Sequence, residues 1–253
     1  MTVNILRWPG GCGGDMLLHL VLQSVPESNS NTKYIGAILA NGANCIDFTN
    51  IDANNISMVD CIALRPTYVQ TVDALLLEQE LNMLTGTWWL KSHYYGKKNY
   101  GHLLIDIIPN IEMLPFAVAA NINKTETLHT NFNQLVSKIR DPELRKHYAI
   151  YCLAKHYISL SSSNNQILCS SLIDGWSTIK STMRRFNINI DDHLYPFYKD
   201  WLAANTQYFP STDYKNLISS KNYNVTHPNL NLIEKYCILA ISGSKFKQLS
   251  KQA

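Results

Sequence analysis

The chain has 253 residues, of which 46% are hydrophobic and 16% are charged, and its formal net charge is +3. This length suits one α/β domain with helical additions, and the apolar fraction suffices for a large core. The small charge and the short basic clusters argue against a nucleic-acid partner, and no apolar run approaches the roughly 20 residues that span a membrane.

The first predicted elements are a strand and a helix joined by glycines. Apolar residues at positions 3, 5 and 6 lead into Trp8 and Pro9, and a second apolar run starts at position 16. A helix that starts after glycines presents N–H groups without helical partners, and its dipole favours an anion. The pattern therefore predicts a phosphate-binding loop made of Gly10, Gly11, Cys12, Gly13, Gly14, Asp15 and Met16.

Other interpretations of this loop stay open. Glycines also form plain tight connections, in which case the segment binds nothing. Asp15 either caps the helix, binds a hydroxyl or a metal, or disfavours phosphate by its charge. No Gly-Lys-Ser/Thr follows the glycines, so the loop is not a Walker loop, and an ordinary ATPase or kinase is disfavoured. Trp8 is expected in the core, with nucleobase stacking as the alternative.

The rest of the chain alternates between strand and helix patterns. Strands are predicted over residues 58–64, 87–95, 102–108 and 166–173, residues 34–39 form a strand or a helix start, and residues 41–57 form a loop. Helices are predicted over residues 69–84, 111–120, 123–140, 141–160, 175–185, 192–208 and 231–242. Alternation with doubly apolar strands favours a parallel sheet covered on both faces.

We therefore predict a single α/β domain over residues 1–253. Its central sheet is mostly parallel and flanked by helices, with extra helices in the C-terminal half. A ligand is expected at the carboxyl ends of the strands, where open α/β sheets bind their ligands.

A second candidate motif, Lys91-Ser92-His93, lies at the end of the predicted strand 87–95. Residues two apart on a strand point to the same side. A lysine balances charge on a transferring group, and a histidine accepts a proton from a hydroxyl nucleophile. The pair suits group transfer from an anionic donor, whereas the alternative is that His93 is a packing residue.

Together these two motifs resemble those of the sulfotransferase superfamily. That family opens with a strand, a phosphate-binding loop and a helix, and later carries a strand that ends in Lys-Thr-His, whose histidine is the catalytic base. The resemblance implies a P-loop sulfotransferase-like fold and transfer of a sulfuryl group from 3′-phosphoadenosine 5′-phosphosulfate. It gives His93 the role of base and Lys91 that of charge balance. The acceptor is then a hydroxyl of a small molecule or a glycan.

The basic residues that grip the donor in that family are missing here. Gly10 and Gly11 stand where its first loop carries a lysine, and Ile108-Pro109-Asn110 lacks its arginine. Basic groups that could replace them are candidates by charge only: Lys97, Lys98, Lys124 and Arg184. The alternative function is therefore a catalytically silent protein that binds nucleotide or phosphate, or another partner, on the same scaffold. A kinase-like phosphotransferase is less consistent with the loop.

The cysteine spacing and the N-terminal residues limit the metal sites, redox motifs and cellular locations that the sequence predicts. The six cysteines include no C-x-x-C pair, so neither a zinc site nor a redox motif is predicted, and no metal is expected. No secretory pattern opens the chain, which favours a cytoplasmic protein with free thiols that does not bind membranes. The abundance of Asn, Ser and Thr indicates an AT-rich gene, as in a virus or phage. The oligomeric state is left open.

Overall fold

The computed structural model describes residues 2–24, 37–38, 44–45, 87–92, 103–124, 139–160 and 164–246. In chain order, its strands are β1 Thr2–Arg7, β2 Ala37–Ile38, β3 Asn44–Cys45, β4 Thr87–Ser92, β5 Leu103–Ile108 and β6 Gln166–Leu168. Its α-helices are α1 Gly14–Ser24, α2 Leu114–Lys124, α3 Pro142–Ile158, α4 Trp176–Arg184, α5 Tyr195–Asn205, α6 Thr212–Ser219 and α7 Leu232–Ile241. Short 3-10 helices cover Ile111–Met113, Cys169–Leu172, Asp192–Leu194 and Thr206–Tyr208.

Contacts group the chain into two compact units. Unit 1 comprises Met1–Pro9, Gly13–Ile108 and Ser161–Ala204, and unit 2 comprises Gly10–Cys12, Pro109–Leu160 and Asn205–Ala253. The single domain expected over residues 1–253 stays a prediction. The strand expected over residues 58–64 and the helix expected over residues 69–84 lie outside the described residues.

Among the described residues, four strands form a sheet with the order β4-β1-β5-β6 in unit 1, and each neighbouring pair is parallel. β5 shows that the sheet is covered on both faces: Leu104 on one face and Ile105 and Ile107 on the other are all buried. The predicted α/β class, with a parallel sheet flanked by helices, is confirmed.

Two predicted boundaries in unit 1 are wrong. The strand expected over residues 166–173 ends at Leu168, because its partner β5 ends at Ile108, which pairs with Leu168. The chain then turns into the 3-10 helix Cys169–Leu172. Residues 41–57 were expected to be a loop, yet Asn44–Cys45 pairs antiparallel with Ala37–Ile38. Cross-strand pairing outweighs the low strand propensity of Asn there.

Unit 2 is helical, and its helix starts follow local capping rules. Asp141 accepts hydrogen bonds from the N–H groups of Glu143 and Leu144 at the start of α3. Asn231 and Glu234 form a capping box at the start of α7. Both predicted helices are confirmed, since their signals lie within four residues of the start.

Other helices of unit 2 depart from the sequence predictions. The helix expected from residue 111 opens as a 3-10 turn before α2. Of the helix expected over residues 123–140, the first two residues end α2, residues 139–140 are not helical, and the rest lies outside the described residues. The sequence analysis missed α6, although Ser211 caps it by accepting from the N–H of Tyr214. Among the described helices, none is both long and apolar enough to cross a bilayer.

Candidate functional site

The glycine loop follows the carboxyl end of β1 and leads into α1. The helix begins at Gly14, and the N–H of Leu17 donates to the carbonyl of Gly13 at 3.2 Å. In an α-helix the first N–H groups have no partner within the helix, and Gly13 has no side chain with which to cap them. This is the geometry on which the predicted anion site depends, and anion binding stays a prediction.

Close packing within unit 1 accounts for the last two glycines of the loop. A Cβ on Gly14 would lie 2.0 Å from Cδ2 of Trp8, whose ring is 1% exposed. A Cβ on Gly13 would lie 3.0 Å from Cζ2 of Trp201, and the φ of Gly13 is +76°. Trp8 is therefore a core residue as expected, and it requires glycine at the first position of α1.

The first two glycines pack against helix α2 within unit 2. A Cβ on Gly11 would lie 2.1 Å from the carbonyl oxygen of Ala117, and the φ of Gly11 is +83°. A Cβ on Gly10 would lie 2.9 Å from Nδ2 of Asn121. Packing thus explains these four glycines without reference to a ligand, so their number alone does not distinguish an anion site from a tight connection.

A buried tyrosine holds the beginning of the loop. The phenol of Tyr157, on α3, donates to the carbonyl of Gly10 at 2.5 Å. The phenol oxygen of Tyr157 also accepts a hydrogen bond from Nδ2 of Asn121 at 2.5 Å. Tyr157 is 4% exposed, and Cys12 two residues beyond Gly10 is buried. The sequence analysis missed this tether, because 147 positions separate Tyr157 from Gly10.

The second motif lies beside the end of β1. In the parallel β1–β4 pair, Lys91 is level with Leu6, and Ser92 is level with Arg7. His93, the predicted catalytic base, lies outside the described residues. For Lys91 the structure gives the backbone position, at the carboxyl end of the strand next to β1.

A buried ion pair joins the ends of β1 and β5. Nε and Nη2 of Arg7 donate to the two carboxylate oxygens of Asp106 at 2.6 and 2.7 Å, and both residues are buried. The two residues are level in the β1–β5 register. Sequence reasoning missed the pair, although each is the single charged residue of its strand. That pattern is a usable signal, since buried charges are normally paired.

The order of the strands also points to the carboxyl ends of β1 and β5 as a candidate ligand site. From β1 the sheet continues to one side with β4, and from β5 it continues to the other side with β6. Among the described strands, the order therefore reverses between β1 and β5, which marks a topological switch point there. In open parallel sheets, ligands bind at the carboxyl ends of the strands at such a point. The start of α1 follows one of these two strands directly.

The remaining candidate groups are dispersed. His19, on α1, packs its ring 4.3 Å from that of Phe197, and burial lowers its pKa. Arg184 is exposed in the last turn of α4, Lys97 and Lys98 lie outside the described residues, and the structure describes only the backbone of Lys124. Within the described part of the chain, no three His, Cys, Asp or Glu residues are grouped to hold a metal ion.

Comparisons of this chain with protein-family models, with curated proteins and with solved structures find no match. The functional interpretation therefore depends on the geometry above and on the two sequence motifs.

Proposed function

We propose that this chain is a sulfotransferase-like transferase built on a P-loop-like α/β scaffold. The start of α1, from Gly13 to Met16, binds the phosphosulfate end of 3′-phosphoadenosine 5′-phosphosulfate. Lys91 and His93 act from the end of β4. The acceptor is a hydroxyl of a small molecule or a glycan, and the reaction belongs to the cytoplasm.

One observation carries the proposal. β4 is the parallel neighbour of β1, and Ser92 is level with Arg7. The segment that enters the glycine loop and the segment that enters His93 therefore leave the same edge of the sheet from adjacent strands. β1 and β4 are about eighty residues apart in sequence, so the adjacency of these two strands is a property of the fold, and it supports a donor site beside a base.

The proposed reaction is a single displacement at sulfur. His93 accepts the proton of the acceptor hydroxyl as that oxygen forms a bond to sulfur. The bond between sulfur and the donor's phosphate oxygen breaks, and adenosine 3′,5′-bisphosphate leaves with the electron pair. Lys91 balances the negative charge on the transferring group, and the N–H groups at the start of α1 stabilise the phosphate that departs.

A second candidate function has its own supporting observation. Arg7, the basic residue that precedes the glycine loop, is bonded through two nitrogen atoms to Asp106. Its charge is thereby neutralised within the sheet and does not counter that of a donor. This favours a catalytically silent protein that binds phosphate or nucleotide at the same helix start.

Thermal unfolding with and without ligands tests the shared binding site first. The ligands are adenosine 3′,5′-bisphosphate, ATP, GTP, phosphate and sulfate, with chloride at equal ionic strength as the control for screening. A ligand at a hundred times its Kd adds about 2.7 kcal/mol of stability, which is roughly 5–10 °C in Tm for a chain of this size. Equal Tm values in chloride and with all five ligands would contradict both candidates.

His93→Ala then separates the two candidates. In a transferase this substitution lowers the rate of sulfuryl transfer by about 10²–10⁴-fold and leaves the ligand-induced rise in Tm unchanged. The matched control is His193→Ala, since His193 is an exposed histidine bonded to Asp191 in another part of the chain. Adenosine bisphosphate binding without transfer to any hydroxyl acceptor identifies the silent protein instead.

A further inference from the structure

Three tyrosine rings of unit 2 contact the ring of Phe246. Two of these tyrosines lie on α3 and one lies on α7, which packs against α3. The centroid of the Phe246 ring lies 5.0 Å from that of Tyr148 and 5.6 Å from those of Tyr151 and Tyr236. These distances are typical of favourable aromatic pairs. We call the three tyrosines the tyrosine cluster.

Residues 242–246, which we call the C-terminal strap, reach the tyrosine cluster after a turn at the end of α7. This helix ends at Ile241, and Gly243 follows with a φ of +72°, which glycine adopts without strain. The phenol of Tyr151 then donates to the carbonyl of Ser244 at 2.8 Å. The strap is therefore fastened to α3 by a ring and by a backbone carbonyl that lies two residues before that ring.

The strap is more exposed than the tyrosines that it covers. Tyr151 and Tyr236 are buried, with 7% and 5% of their surface exposed, whereas Lys245 is exposed and Phe246 is only half-buried. A Cβ on Gly243 would meet no atom within 4 Å, so the turn that leads into the strap is not packed on that side. Release of the strap thus exposes mainly one ring and its partners, and it returns conformational freedom to the released residues.

We propose that the tyrosine cluster is a docking site for a peptide segment with an aromatic side chain, and that the strap blocks this site within the same chain. The strap itself defines the chemistry of the partner. An aromatic ring packs against the tyrosine cluster, and the carbonyl two residues earlier accepts from the phenol of Tyr151. Lys245, between these two groups, is exposed, so the site does not select the residue at that position.

The strap and a partner segment compete for the same site. Because the strap belongs to the chain, its effective concentration at the tyrosine cluster is on the order of millimolar. A partner binds only the fraction of molecules in which the strap has left, and its apparent Kd rises by the inverse of that fraction. Weakening the strap therefore strengthens the binding of the partner.

Fluorescence anisotropy with a labelled synthetic peptide of residues 242–253 tests the docking site in the full-length protein. We expect the Phe246→Ala protein to bind this peptide at least about tenfold more tightly than the wild type, because the strap no longer supplies a competing ring. A peptide with alanine in place of its phenylalanine should bind this variant at least about tenfold more weakly, since the loss of a buried ring removes its apolar contact area.

Phe209→Ala is the matched control for the protein variant. Phe209 is also a half-buried phenylalanine of unit 2, and its ring lies 5.5 Å from that of Phe116, outside the tyrosine cluster. This variant should bind the peptide as weakly as the wild type does. The proposal is overturned if Phe246→Ala does not bind the peptide, or if it binds the peptide no more tightly than the wild type and Phe209→Ala do.

Limited proteolysis measures the release of the strap without any added peptide. Trypsin cleavage after Lys245 requires the strap to leave the tyrosine cluster, and its rate follows the population of the released form. Tyr151→Phe removes the bond to Ser244 and should raise this rate about three- to tenfold. Tyr157→Phe, the control, removes a buried phenol of the same helix that donates to Gly10 instead, and it should leave the rate unchanged. Equal rates in the two variants, measured by mass spectrometry of chains that end at Lys245, would overturn the assigned mode of docking.

Discussion

The starts of α1 and α3 meet the same physical requirement in two different ways. At α3 the side chain of Asp141 accepts from the first N–H groups, and Pro142 occupies the first helical position. At α1 the preceding residue is Gly13, the first helical residue is Gly14, and tertiary contacts with Trp8 and Trp201 shape the turn. A local side-chain cap satisfies the first N–H groups of α3, whereas glycine supplies no side-chain cap at the start of α1.

The ion pairs near the two helix starts differ in the same way: one joins distant residues and the other joins neighbours. Arg7 and Asp106 form a buried pair across strands near the start of α1. Near the start of α3, Glu143 and His147 form a pair one turn apart at 3.8 Å, with the Glu143 side chain 78% exposed. If the comparison is right, substitutions near α1 have large effects through distant residues, and substitutions near α3 have small effects that stay local.

The largest effect is expected from Asp106→Ala. It leaves the Arg7 guanidinium buried without its carboxylate, which destabilises a protein by about 3–5 kcal/mol. Glu143→Ala removes an exposed pair and a first-turn acid, and its expected effect is below about 1 kcal/mol. Urea unfolding of both variants measures the difference. Similar losses of unfolding free energy in the two variants would contradict the difference between the two helix starts.

The first residue of each helix provides the next test. Gly14→Ala places a methyl group into the ring of Trp8, where nothing can move without disturbing the core, and we expect a loss above about 3 kcal/mol. Pro142→Ala, at the exposed first position of α3, should change the unfolding free energy by less than about 1 kcal/mol. Thermal unfolding of the pair is the measurement, and a stable Gly14→Ala variant would contradict the packing of Trp8.

A moderate effect is expected when the local cap is removed. Asp141→Ala deprives the N–H groups of Glu143 and Leu144 of their acceptor and should cost about 1 kcal/mol. The variant should keep the wild-type response to sulfate, because α3 does not form the proposed anion site. A changed sulfate response, measured as the shift in Tm, would show that the two helix starts are not independent.

Asp15→Asn sharpens the comparison at α1. Asp15 lies in the first turn of α1, where its negative charge interacts favourably with the helix dipole. This interaction stabilises the helix by about 0.3–1 kcal/mol, but the same charge repels a bound anion. The substitution should lower Tm slightly and tighten sulfate binding, as measured by titration calorimetry at low ionic strength. Unchanged or weaker binding in the variant would show that the charge of Asp15 does not repel an anion at this position.

The smallest expected effect is on how the unfolding free energy depends on pH. Burial lowers the pKa of His19 below its ordinary value of 6.5 in the folded protein. The unfolded chain therefore binds more protons near pH 6.5, so the stability contributed by the neutral ring is present at pH 7 and is lost as the pH falls through the unfolded pKa. In His19→Gln, the difference in unfolding free energy between pH 7.5 and pH 5.5 should be smaller than in the wild type. An unchanged difference would show that His19 does not contribute to it.

Sequence reasoning succeeded where the deciding contacts are local. It found β1, the start of α1, the Asp141 cap and the α7 helix, because glycine breaks, caps and apolar periodicity act within a few residues. It missed α6, although Ser211 caps that helix, since the segment carries few apolar residues. It extended β6 to residue 173, because the apolar run continues after the partner strand has ended.

For the candidate site, the sequence by itself determined the glycine-rich entry into α1 and the residue types of the Lys91-Ser92-His93 motif. Only the tertiary structure decided that β4 lies beside β1, that Arg7 pairs with Asp106, and that Trp8 and Ala117 approach the loop closely enough to require glycine. The physical reason is the sequence separation of the residues that make the deciding contacts. Backbone conformation follows from neighbouring residues, whereas strand order, buried charge pairs and close approaches are set by residues that meet only when the chain has folded.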